Sequence, residues 1–342
     1  MIASEGDCLD TLGIVEGTDK SSLFNDYLRH YELRFRALRD APINLIEIGV
    51  AGGSSLRMWS EYFPNATIIG VDIVEEARQF EGGRVKIEIG SQDDPTFLSD
   101  LCARFPPTIF IDDGSHFARH MLFTLKHVFP LVLPGGWYVI EDLWIAMEME
   151  KIAVTPHQYL ADIASSNISL RRYDIESDSL RSAVESIEFV PGAAFLRRQD
   201  RNAALQRLLA VVPSVERSVQ PNNWHWLSQS IVRLGGPLDL AEMAARRAIV
   251  LHAEYPLYRI ALGDVLERQG RNDEALECAK AGVALDPTVP LWHLRYGEIL
   301  AKLGRREQAR SEINEAMQLA EPEQVGFFAG ELRRLCGDDI LG

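Results

Sequence analysis

Short runs of apolar, largely β-branched residues alternate with stretches of helical periodicity over the first 200 residues. The runs at 44–50, 67–72, 84–89, 108–112 and 137–141 predict five strands. Their near-continuous apolar character is that of parallel strands covered on both faces. Between them, SSLRMWSEYF and RHMLFTLKHVF repeat their apolar positions at helical spacing and predict helices. Together these elements predict an α/β architecture, a doubly wound Rossmann-like sheet whose ligands bind beyond the carboxyl ends of the strands.

The pattern changes near residue 200. Set against itself at an offset of 34, the chain brings Ala241 over Ala275 and Ala309, Gly263 over Gly297, Leu266 over Leu300 and Gly270 over Gly304. Each unit reads as two amphipathic helices joined at a Gly-Arg turn, with Pro256, Pro287 and Pro290 at unit boundaries. This resembles the tetratricopeptide repeat, an all-α array. Units are expected near 222–255, 256–289 and 290–323, followed by a capping helix; the first is degenerate, with Gln229 where the next two have glycine. The expected organisation is therefore a sheet domain over 1–200, a linker over 201–221 and a repeat domain over 222–342.

Composition narrows the functional classes. The 342 residues are 46% hydrophobic and 25% charged, as in ordinary globular chains, and the net charge of −15 repels nucleic acid and anionic bilayers. The four cysteines lack the paired spacing of zinc or disulfide frameworks. No run approaches a membrane span, and MIASEGDCLDTLG is acidic where a signal peptide is basic. A cytoplasmic location is expected.

The first strand runs into EIGVAGGSSLRMW, an acidic residue and then a glycine-rich turn that opens a helix. Gly49, Gly52 and Gly53 permit a tight turn and let a ligand lie on bare backbone, while Glu47 supplies a carboxylate. A dinucleotide site, a methyl-donor site and a close helix–sheet contact all use such a turn. Asp72, ending the second strand, stands where a carboxylate accepts the two hydroxyls of a ribose. Glu47 beside the turn would repel a pyrophosphate but suits the ammonium and sulfonium charges of S-adenosylmethionine. The E-x-G-x-A-x-G pattern resembles the first motif of class I methyltransferases, with Ala51 in place of the middle glycine. The resemblance implies that Ser91 and Gln92, in GSQDD after the third strand, lie where that fold binds adenine, although a polar loop capping the next helix reads equally well.

Carboxylates are densest in IDDGSH and IEDL, at the ends of the fourth and fifth strands. Asp112, Asp113, Glu141 and Asp142 would repel one another without a cation, and oxygen donors favour magnesium, manganese or calcium over zinc. His116, three residues after Asp113, is the candidate base for a hydroxyl acidified by that cation. A zinc pair of His116 and His120 lacks the glutamate of H-E-x-x-H, and His120 and His127 read as surface histidines. Trp137, Tyr138 and Trp144 are candidates for an acceptor pocket or for the core.

In order, GTDKSS, EIGVAGGSSLRMW, IDDGSH and PGGWYVIEDL resemble the metal-dependent sugar O-methyltransferases of macrolide biosynthesis, the mycinamicin VI 2''-O-methyltransferase group, over about residues 17–143. The resemblance implies natural-product or glycan methylation. It assigns Asp113, Glu141 and Asp142 to magnesium, His116 to proton abstraction, Glu47, Gly49, Gly53, Asp72, Ser91, Gln92 and Asp112 to S-adenosylmethionine, and the GTDK segment, with Tyr27 nearby, to a lid. The repeats have no counterpart in that group and are expected to bind a protein partner or a second copy. Two rivals are a non-catalytic nucleoside-binding scaffold and an enzyme resembling the cephalosporin hydroxylases.

Overall fold

The structure, a computed structural model, describes residues 8–144, 155–165 and 180–337, and these form two compact units that divide after Asp200. In the first unit, helices α1 (Leu9–Glu16) and α2 (Leu28–Phe35) precede strand β1 (Asn44–Ile48). There follow α3 (Ser54–Tyr62), β2 (Thr67–Asp72), β3 (Val85–Ile89), α4 (Pro95–Arg104), β4 (Ile109–Asp112), α5 (Ala118–Val128), β5 (Trp137–Ile140) and α6 (Pro156–Ser165). The five predicted strands are present, one or two residues shorter at some ends. The sheet has seven strands in the order β3-β2-β1-β4-β5-β7-β6. The last two, β6 (Val184–Val190) and β7 (Ala193–Arg198), were not foreseen; they form a hairpin, and β7 adds antiparallel to β5.

β1 pairs in parallel with β2 on one side and β4 on the other. The order therefore reverses beside β1, and the crevice at its carboxyl end is where a doubly wound sheet binds ligands. Apolar clusters cover both faces. One gathers Tyr31, Phe35, Leu56, Trp59 and Phe63 from α2, α3 and the turn after α3. The other gathers Leu101, Met121, Leu125 and Leu160 from α4, α5 and α6. Strands buried on both sides need apolar residues at successive positions, which is why the runs were so legible.

In the second unit, α7 (Arg201–Ala210) and α8 (Val212–Glu216) occupy the stretch expected to be a linker. That stretch is helical and clusters with the repeats: Leu208, Val212 and Val215 pack beside Trp224 and Ile231. Three helix pairs follow: α9 (Pro221–Leu234) with α10 (Leu238–Leu251), α11 (Pro256–Arg268) with α12 (Asn272–Leu285), and α13 (Pro290–Lys302) with α14 (Arg306–Leu319). Helix α15 (Val325–Cys336) lies against the last pair through Phe328 and Leu332. Gly263 and Gly297 explain the close pairing. A Cβ at Gly297 would lie 2.8 Å from Ile313 and 3.2 Å from the Ala309 carbonyl oxygen, and one at Gly263 would lie 3.2 Å from the Ala275 carbonyl oxygen. Among the described residues, no helix is long and apolar enough to cross a membrane.

Candidate active site

A cavity of about 800 Å³ opens at the carboxyl ends of the strands, beside the reversal in strand order. Its floor is the turn after β1. Gly49 has φ +94, and a Cβ there would fall 2.0 Å from the Asp113 carbonyl oxygen, so only glycine allows the β1 and β4 turns to meet this closely. Ala51, in the position of the family's middle glycine, adopts the left-handed region with φ 44. Asp72 lines the cavity from the end of β2, its carboxylate oriented by the backbone N–H groups of Val50 at 3.0 Å and Ile73 at 2.7 Å. Ser91 and Gln92 line it from the loop after β3.

On the other side stand Asp113, His116 and Asp142. Each supplies one donor atom, and the three atoms lie within 4.8 Å of one another. The His116 Nε2 is 3.8 Å from Asp142 Oδ2, while its Nδ1 is buried without a hydrogen-bond partner. The two carboxylates supply the oxygen donors that suit a hard divalent cation, and the imidazole stands beside them. His116 and Asp142 have φ of 57 and 52, a backbone conformation that costs energy in a non-glycine residue and concentrates at functional sites. Tyr27 fixes Asp142 by donating its hydroxyl to Oδ1 at 2.9 Å, and it sits against Gly192 in the β6–β7 turn, where a Cβ would collide with it.

Four expected site residues stand behind the cavity. Glu141, expected on the metal, is 1% exposed; its Oε1 accepts from Tyr31 and its Oε2 from Lys20 at 2.8 Å. Glu47, expected on the cofactor, is fully buried and accepts from Ser55 Oγ at 2.8 Å and Trp59 Nε1 at 3.2 Å. Asp112 is likewise sealed, accepting from Gln92 Nε2 at 3.0 Å and the Tyr138 hydroxyl at 3.2 Å. Gly53 turns toward Phe80 at the start of α3. These four brace the cavity without lining it. Trp137 and Tyr138 belong to the core, while Trp144 is half exposed.

The residue that sequence reasoning missed is Lys20. Its side chain is 2% exposed, and its ammonium lies among three carboxylates: hydrogen-bonded to Asp113 and Glu141, and 3.3 Å from Glu47 Oε1 without hydrogen-bond alignment. The cluster expected to need a metal thus already contains a cation of its own. Burial alone would lower the Lys20 pKa, but Asp113, Glu141 and Glu47 together hold it well above the ordinary lysine value. Burial raises Glu47 to about 6 against the pull of Lys20, and raises Asp112 to about 7 against its hydrogen bonds from Tyr138 and Gln92. Asp113 and Glu141 also move upward, first because they are desolvated. His120, expected at the surface, lines the cavity with its Nδ1 2.8 Å from Ser115 Oγ.

This sheet and cavity define a Rossmann-like, methyltransferase-type fold followed by tetratricopeptide repeats. The tetratricopeptide repeat family model matches residues 236–290 and 260–323. Demethylmacrocin O-methyltransferase of Streptomyces fradiae is 41% identical over 137 residues, 38% of this chain and 34% of that protein. Mycinamicin VI 2''-O-methyltransferase of Micromonospora griseorubida is 39% identical over 38% of this chain and 34% of its own. L-olivosyl-oleandolide 3-O-methyltransferase of Streptomyces antibioticus is 31% identical over 54% and 56%. The chain thus spans about a third to just over half of the curated relatives it matches. The crystal structure of the methyltransferase MycE with Mg, SAH and mycinamycin VI superposes with a TM-score of 0.50 at 28% identity, covering 57% of this chain and 56% of that one.

Proposed function

We propose that this chain is an S-adenosylmethionine-dependent, magnesium-assisted O-methyltransferase acting on a sugar hydroxyl of a natural product or glycan. The observation that carries the reading is the shared cavity. A ribose-binding carboxylate, Asp72, and the Asp113, His116 and Asp142 set line the same 800 Å³ space across the glycine turn. The named activities of the relatives support the same chemistry.

In this mechanism Asp72 accepts the ribose hydroxyls, and the backbone of the turn carrying Gly49 lies beside the methionine part of the donor. Asp113 and Asp142 are the residues that would hold the divalent cation, and when bound it supplies the Lewis acidity that lowers the pKa of an acceptor hydroxyl. Tyr27 and the β6–β7 turn keep the Asp142 carboxylate in place. His116, which lines the cavity beside the two aspartates, takes the acceptor proton on its imidazole. The acceptor oxygen then attacks the sulfonium methyl in line, the O–C bond forming as the C–S bond breaks and the electron pair leaves on the thioether sulfur of S-adenosylhomocysteine, and holding the two reactants in one cavity supplies much of the acceleration. The acceptor best suited to the site is a vicinal diol, since two neighbouring oxygens can share one cation. The repeats serve protein docking or self-association; sedimentation velocity at rising concentration tests the second.

Isothermal calorimetry with S-adenosylmethionine, with and without magnesium, tests the donor assignment: one site per chain is expected, and absence of binding overturns it. In methyl transfer to a panel of glycosides, His116→Ala is expected to lose at least 100-fold in turnover with donor affinity retained. Unchanged turnover removes His116 from the mechanism.

A further inference from the structure

The carboxylates at the strand ends fall into two groups with one shared member. Among the described residues, Lys20 is the cation that Glu47 and Glu141 face, Asp142 faces His116, and Asp113 faces both sides. We propose that Lys20 is a resident monocation that competes with the divalent cation for Asp113, so that it holds the metal affinity of the site down and links metal entry to release of the loop at residues 17–27. The inference rests on the metal reading above and concerns what this chain does to that metal.

The argument is electrostatic and geometric. Lys20 is hydrogen-bonded to Asp113; its own side chain is 2% exposed, while that of Asp113 keeps 20% open toward the cavity. A second, doubly charged cation sharing that carboxylate is repelled by the ammonium at short range, and burial of the ammonium leaves this repulsion less screened than one between surface charges. Lys20 is also the root of its loop. Its carbonyl oxygen accepts from the backbone N–H groups of Tyr27 at 2.9 Å and Leu28 at 3.1 Å, and Asp19 and Ser21 on either side accept from Asn25 and Asp26, both at 2.9 Å. Tyr27 in turn holds Asp142. A weakened grip of Lys20 on Asp113 therefore reaches the amides that fold the loop. Linkage is reciprocal: the factor by which Lys20 weakens metal binding is the factor by which metal weakens the hold of Lys20.

The test uses manganese with the full chain. Free manganese is followed by electron paramagnetic resonance during titration of the parent and of Lys20→Met, and amide hydrogen exchange of the parent is followed with and without manganese. Lys20→Met is expected to bind manganese at least ten-fold more tightly, and manganese is expected to raise its melting temperature more than that of the parent. In the parent, manganese is expected to speed exchange at Tyr27 and Leu28. A role limited to holding the fold gives equal or weaker binding in Lys20→Met, and that result overturns the inference. Unchanged or slower exchange at Tyr27 and Leu28 also overturns it, and this measurement decides if the variant does not fold. Manganese binding by the parent with no difference in the variant sinks this inference alone; no binding by the parent sinks the metal reading as well, while donor calorimetry still tests the methyltransferase fold independently.

Discussion

In the unit that ends at Asp200, Lys20, Glu47, Asp112 and Glu141 are each 1% exposed or less. In the unit that begins at Arg201, the densest charge cluster is Arg295 with Asp264, Glu267 and Glu298, and the arginine keeps 23% of its side chain in water. The repeat charges bridge neighbouring helices, α11 to α13, and remain partly hydrated, although burial still raises the Asp264 pKa above its ordinary value. The sheet charges have surrendered their water. Burial raises Glu47 to about 6 and Asp112 to about 7, which marks carboxylates that a stability-driven design would replace with apolar residues. Fully desolvated charge gathered at the carboxyl ends of strands is a feature of functional sites, whereas the partly hydrated pairs along the helices suit a scaffold.

Three substitutions press on that contrast, in decreasing order of effect. Glu141→Ala removes one partner of the buried Lys20 and the acceptor of Tyr31, and urea unfolding is expected to lose about 3–5 kcal/mol. Asp112→Asn acts through pH. An unfolded aspartate releases its proton near pH 4, whereas the folded Asp112 retains it to about 7. Between those values the unfolded chain binds fewer protons, so the contribution of this group to stability falls as pH rises and levels off above 7. The variant is expected to lack that fall, worth a few kcal/mol at about 1.4 kcal/mol per pH unit, when melting curves are compared from pH 4 to 8. Arg295→Met is expected to cost about 1–2 kcal/mol and to be partly masked by added salt. A loss as large as that of Glu141→Ala would erase the distinction between the two units.

How much of this was legible in the sequence depends on range. The central strands announced themselves because each is buried on both faces, and the helix pairs because Gly263 and Gly297 recur at places where paired helices nearly touch. That Asp72, Asp113, His116 and Asp142 would come together was legible because each ends a strand or lies in the turn just after one. The place of Lys20 among them was not, since its partners are 93 and 121 residues away and GTDK reads only as part of a lid. The partners of Glu141 and Glu47 were hidden for the same reason: nothing local reveals that an ammonium, a tyrosine, a serine and a tryptophan donate to their oxygens. The hairpin of β6 and β7 escaped because its outer strand, VESIEFV, is only half buried and carries charge among its apolar residues.

Three residues bordering the cavity, Ala51, His116 and Asp142, occupy a left-handed backbone region in which glycine is more comfortable. Directed evolution scored only on heat resistance would therefore favour glycine at these positions and, at two of them, discard the groups that face the cavity. Thermal hardening and competence pull apart residue by residue here, so libraries built to toughen this chain should hold positions 116 and 142 fixed.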